Sequence, residues 1–190
     1  MSEEKLSPRE IAEIAAEAGA KAAMEMLERE RQRDRAELAD RRLRNTKLLL
    51  RNYRVFRLHV ENAVYECDAE EYESADDILA DLMMPGRDNR LFVESIKKSV
   101  ARTEVIVRHM ETMMQLYQAY CHTTGNEEDQ RRWRVINALY ICDLMDGEAC
   151  TVDDLAKEEG VVKRTIYKDI DNACERIAAL MFGIDGLRRR

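Results

Sequence analysis

The chain has 190 residues, of which 36% are charged, 45% hydrophobic and only 6% aromatic, with two prolines, seven glycines and a formal net charge of −7. This composition favours helices over sheets, because Ala, Leu, Glu, Lys, Arg and Met lose little rotamer freedom in a helix. No stretch approaches the roughly 18 apolar residues of a membrane span, and the opening MSEEKLSPRE lacks a basic start and an apolar run, so neither a membrane protein nor a secretory signal is expected.

Ser7-Pro8-Arg9-Glu10 reads as a helix start. Ser7 can accept from orphan amides, Pro8 suits the first helical position, and Glu10 completes a capping box. No proline follows until Pro85, so residues 8 to about 65 are expected to form one long helix or two nearly continuous ones. Its first part, within residues 1–45, is a charged arm with little to bury beyond Ile11, Ile14, Ala15, Ala18 and Ala22, fit for a weak coiled coil or a frayed end. Further on, Leu49, Tyr53, Phe56, Val60 and Val64 fall on one helical stripe. Charge comes in blocks. Residues 31–60 hold ten Arg or Lys against three Asp or Glu, whereas residues 61–81 hold nine acids and no base. A charge run on a helix is usually a solvated face, but the basic block is also a candidate phosphate-contacting surface or a pairing partner for the acidic one.

The acidic run Glu66 to Glu73 is expected to be a turn or loop. Ile78, Leu82 and Met83 suggest a short helix stopped by Pro85-Gly86. Val93, Ile96, Val100, Thr103, Val107, Met110, Met114 and Tyr117 then alternate steps of three and four, the spacing of a helical-bundle or coiled-coil seam. That helix is expected to stop at Thr123-Thr124-Gly125-Asn126. It can pack antiparallel on the 46–65 helix, giving a hairpin over residues 46–124, or form the seam of a homodimer.

Residues 131–187 divide into three helices. Trp133, Ile136, Leu139, Tyr140 and Leu144 give the first an apolar face, and Asp146-Gly147-Glu148 ends it. Thr151 caps the second, with Asp154 closing a capping box. Gly160 breaks it, Val161 follows as an apolar plug, and Lys163 opens a third helix running to about Phe182, with Gly183 and Gly186 beyond. This is helix-turn-helix spacing. Ala156 is small where two helices cross, Gly160 can take a left-handed turn, and Leu155, Val161, Ile166 and Ile170 close the interior. The outer face of the third helix opens with Lys163, Arg164, Thr165, Tyr167 and Lys168, the expected DNA contacts. Asp169 and Asp171 would repel phosphate if they shared that face.

The stretch TVDDLAKEEGVVKRTIYKDIDNA, residues 151–173, resembles the helix-turn-helix of bacterial transcription regulators and of sigma-70 region 4, whose usual form is a threonine-capped LAxxxGVS followed by RTIYRDI. It departs from that form at Val162, where a Ser or Thr usually caps the recognition helix, and at Glu159, where many members bury an apolar residue. A helical N-terminal region followed by such a module, ending LMFGIDGL, is similar to phage and prophage late-gene regulators of the ArpU and RinA types. The resemblance implies an all-α fold: a long N-terminal helical, coiled-coil-like hairpin followed by a C-terminal three-helix module with no β-wing. It also implies binding to double-stranded DNA, with RNA polymerase as a candidate partner.

Chemistry of other kinds finds little footing. The five cysteines are widely spaced with no C-x-x-C pair, and His59, His109 and His122 are isolated, so disulfides and a metal centre are not expected. No Gly-rich phosphate loop or nucleophile–base spacing is present, so the expectation is a non-enzymatic, cofactor-free cytoplasmic protein. The function expected is a sequence-specific DNA-binding transcription regulator. The alternatives are a terminase small subunit for DNA packaging and an interaction module that binds no DNA.

Overall fold

The first helix of the computed structural model starts at Pro8, where the Ser-Pro signal places it. Residues 7–63, 74–86, 88–97, 99–142 and 150–183 are described, and no strand occurs among them. The helices are α1 (Pro8–Glu61), α2 (Ala75–Met83), α3 (Asn89–Lys97), α4 (Val100–Thr123), α5 (Glu127–Ile136), α6 (Val152–Glu158) and α7 (Lys163–Phe182), with a π-helical segment, Asn137–Ile141, continuing α5. The expected acidic loop at 66–73, Leu144, the 146–148 stop, Val64 and Gly186 lie outside the described residues. None of the described helices is long and apolar enough to cross a membrane.

The chain divides into two units, Met1–Ala39 and Asp40–Arg190. In the first, every described side chain from Ala12 to Leu38 is exposed, including Ile14, Met24, Met26 and Leu27. Its helicity therefore rests on local terms: Ala-rich propensity and i,i+4 pairs such as Arg9–Glu13 and Glu25–Arg29, each worth a few tenths of a kcal/mol (about 0.2–0.5).

The second unit has one core. Leu49, Leu50, Tyr53 and Phe56 of α1 meet Ile78 and Leu82 of α2, Phe92 and Ile96 of α3, and Ile106, Met110, Met114 and Tyr117 of α4. The same cluster runs on through Val135 and Ile136 of α5 and Leu155 of α6 to Ile166, Ile170 and Ile177 of α7. Residues expected as a hairpin and residues expected as a three-helix module thus share an interior.

The seam of residues 93–117 is corrected in two respects. It is two helices, because Ser99 caps α4 by accepting from the Arg102 amide at 3.3 Å. The Thr103 hydroxyl donates across the break, 2.8 Å from the Ile96 carbonyl and 2.9 Å from that of Ser99. Apolar periodicity passes through the break undisturbed, so it hid the cap. The seam's inner residues Ile96, Thr103, Val107, Met110, Met114 and Tyr117 are also buried within the chain's own core, so they are not free to form a dimer interface.

Much of the basic block works as internal strutting. Asn45 and Arg41 donate to the Leu82 and Met83 carbonyls at 3.1 and 2.9 Å, closing the C-terminal end of α2. Arg42 reaches the Gly183 carbonyl beyond α7 at 3.4 Å. Arg54 donates to the carbonyls of Ala138 and Cys142 at 3.0 and 2.8 Å, where the π-helical hydrogen bond from Cys142 N to Asn137 O (2.8 Å) widens the backbone. Of the acidic block, Asp77 forms a capping box with Ser74 at the start of α2, and Asp81 pairs with Arg102 at 3.0 Å.

Candidate nucleic-acid interface

The geometry around α7 begins with the cap on α6. Thr151 accepts from the Asp154 amide while the Asp154 carboxylate takes the Thr151 amide and hydroxyl, the hydroxyl at 2.5 Å. Those hydrogen bonds hold the Asp154 carboxyl below its usual range. Seven residues later α6 closes with two bonds, Gly160 N to Lys157 O at 3.3 Å and Val161 N to Ala156 O at 2.9 Å. This is a Schellman turn, and it requires its penultimate residue to be left-handed. Gly160 supplies that conformation at φ +65°, which a residue with a Cβ adopts only under strain. Val161 packs against the core behind the turn, and Leu155 and Ala156 are buried against α7.

α7 then starts at Lys163 with Val162 in the cap position. Val162 has extended backbone, makes no side-chain hydrogen bond and is 69% exposed. Ile166, Ile170, Ala173, Cys174 and Ile177 face inward, and burial pushes the Cys174 thiol up to about 12.

Four of the five expected contact residues, Lys163, Arg164, Tyr167 and Lys168, are exposed along the first turns of α7. At helical spacing they occupy one side. Thr165 is half-buried on the flank, its amide donating to the Val162 carbonyl at 2.8 Å. Lys163 is engaged by Asp153 of α6, which raises its affinity for the proton. Arg164 and Lys168 have no carboxylate partner among the described residues.

Two of the three acids on α7, Asp169 and Asp171, are occupied. Asp169 is 2% exposed and turned inward, where Arg131 of α5 holds it at 2.7 and 3.4 Å and Arg132 lies 3.4 Å away. Asp171, on the exposed side, pairs with Lys47 of α1 at 2.6 Å. Glu159 accepts a two-pronged guanidinium from Arg134, both distances 2.7 Å, which keeps its carboxyl below the usual range. An apolar residue at that position would have served burial. Here a salt bridge ties the turn to α5 instead.

Sequence reasoning missed Lys47, Arg131, Arg132 and Arg134. The carboxylates on α7 were a signal that cations must be near, but nothing in the spacing said which. The exposed side of α7 can donate hydrogen bonds from a guanidinium, ammonium groups and a phenol over its first turns; half-buried Glu175, two turns beyond Lys168, has no cationic partner among the described residues. No group of three His, Cys, Asp or Glu among the described residues is placed to hold a metal ion. No family model matches the chain, and neither a curated protein nor a solved structure does.

Proposed function

We propose that the chain is a sequence-specific regulator of transcription that binds double-stranded DNA through a sigma-region-4-like helix-turn-helix, α6–turn–α7, with α7 in the major groove. The observation that carries this reading is the exposed row Lys163, Arg164, Tyr167 and Lys168 at the N-terminal end of α7, with Asp169 and Asp171 neutralised by Arg131 and Lys47. Recognition helices of this kind read bases with their N-terminal residues. Arg164 is the candidate base reader, since a guanidinium can form two hydrogen bonds with guanine. Tyr167, Lys168 and Lys163 suit phosphates, Thr165 lies at the edge of the groove, and Lys163 has to exchange Asp153 for the backbone. RNA polymerase is the proposed protein partner and a phage- or prophage-type promoter the proposed setting. No enzymatic step is part of the role.

The test is binding of duplex DNA selected from a random pool. Arg164→Ala is expected to cost about 1–3 kcal/mol and to relax preference at one base pair. Unchanged affinity and unchanged preference in a folded Arg164→Ala protein would remove Arg164 from the contact set.

A further inference from the structure

A second concentration of cations lies in the same unit, and no residue of α7 lines it. Arg41, Arg44 and Asn45 of α1, Met84 after α2, Asp88, and Arg90 of α3 border an open cleft of about 440 Å³. That volume falls in the range of small-molecule sites, about 300–1,000 Å³, and exceeds what one tetrahedral oxyanion needs.

Among the described residues, three arginines border this cleft against one carboxylate-bearing residue, in a chain whose net charge is −7. The carboxylate is spoken for: Asp88 Oδ1 accepts from the Arg90 amide at 2.8 Å, at the start of α3. Asn45 is also committed, its amide nitrogen 3.1 Å from the Leu82 carbonyl and 3.3 Å from Met83 Sδ. Arg41 is anchored to the wall through the Met83 carbonyl. Arg44 and Arg90 are exposed and have no carboxylate partner among the described residues. Like charges around one cleft repel, and a concave wall concentrates their field on whatever enters. A planar guanidinium matches the paired oxygens of a phosphate better than an ammonium does.

We propose that the cleft bounded by Arg41, Arg44 and Arg90 is a binding site for a phosphate-bearing ligand, with room for more than one phosphate group. The proposal does not depend on DNA binding by α7. Two sources share the chemistry, a free polyphosphate and the phosphodiester backbone of DNA.

The test is titration of the full chain with pyrophosphate and, separately, inorganic phosphate by calorimetry at low salt. Saturable binding at one site is expected, with pyrophosphate the tighter ligand. The double variant Arg44→Ala/Arg90→Ala should weaken it at least tenfold, while Arg164→Ala on α7 leaves it unchanged. Helix content by circular dichroism checks that the variants fold, and Arg90→Gln, which removes one charge at an exposed position, serves if the double variant does not. Absence of saturable binding by the wild type, or equal binding by a folded variant, overturns the proposal. Adding duplex DNA then names the source: displacement of pyrophosphate in the wild type points to phosphodiester, and undiminished binding points to a free polyphosphate.

Discussion

Asp169 sits almost fully buried on the helix that carries the candidate contacts, which makes its counter-ions structural. A buried carboxylate is tolerated only while paired, and removing one partner strands the charge. Arg131→Met is therefore expected to destabilise the protein toward the lower end of about 3–5 kcal/mol, because Arg132 remains 3.4 Å away to share the charge. Urea unfolding of the two proteins measures it. Glu159 gives a pH-dependent case. Its folded-state carboxyl titrates below the unfolded value because of Arg134, so the stabilisation is full above the unfolded value and disappears as pH falls through the depressed one. The stability gap between wild type and Arg134→Ala should be largest near neutral pH and close in the acid range below Glu159's lowered value. A gap that stays constant with pH would show that the pair contributes nothing through ionisation.

Elements were legible where their ends carry chemistry. The Thr151–Asp154 box, Gly160 and the Lys163–Phe182 extent of α7 all follow from cap and turn residues visible in the sequence. The break at Ser99 and the π-helical widening at Asn137–Ile141 were not legible. Apolar spacing continues across the first, and the second leans on Arg54, whose carbonyl partners lie more than eighty residues away in sequence. Sequence separation likewise hid Lys47, 124 residues from Asp171, and Arg131, 38 residues from Asp169, as neighbours of the candidate interface. Val162 is the opposite case, a departure recognisable in the sequence that is an uncapped N-terminus in the structure. Val162→Ser should accept an α7 amide and raise stability by about 1 kcal/mol. Thermal and urea unfolding would show it, and no gain would mean that water already serves those amides as well.

At the scale of the molecule, an acidic chain presents a locally basic helix end. On the proposed reading, net repulsion from DNA at long range and attraction at short range make the association sensitive to salt in a specific way. Each phosphate contact contributes a slope of about −0.9 to the dependence of log affinity on log salt concentration. Lys168→Ala should then shallow the slope by about one unit with little change in base preference. The described side chains from Ala12 to Leu38 are exposed and bury no core, and the inner residues of the 93–117 seam are buried within the chain, so that seam adds no dimer contact to the proposed binding. On the proposed reading, the cations of α7, the exposed arginines of α1, the arginine cleft and a protein partner are the sources of affinity.

The most direct measurement is the affinity of the full chain for a duplex recovered from a random pool, taken across salt concentrations for wild type and Arg164→Ala. The account predicts that a common sequence is enriched, that affinity falls steeply as salt rises, and that Arg164→Ala loses about 5- to 150-fold, the equivalent of about 1–3 kcal/mol. Failure to enrich any sequence, together with equal binding by wild type and a folded Arg164→Ala protein at every salt concentration, would contradict it.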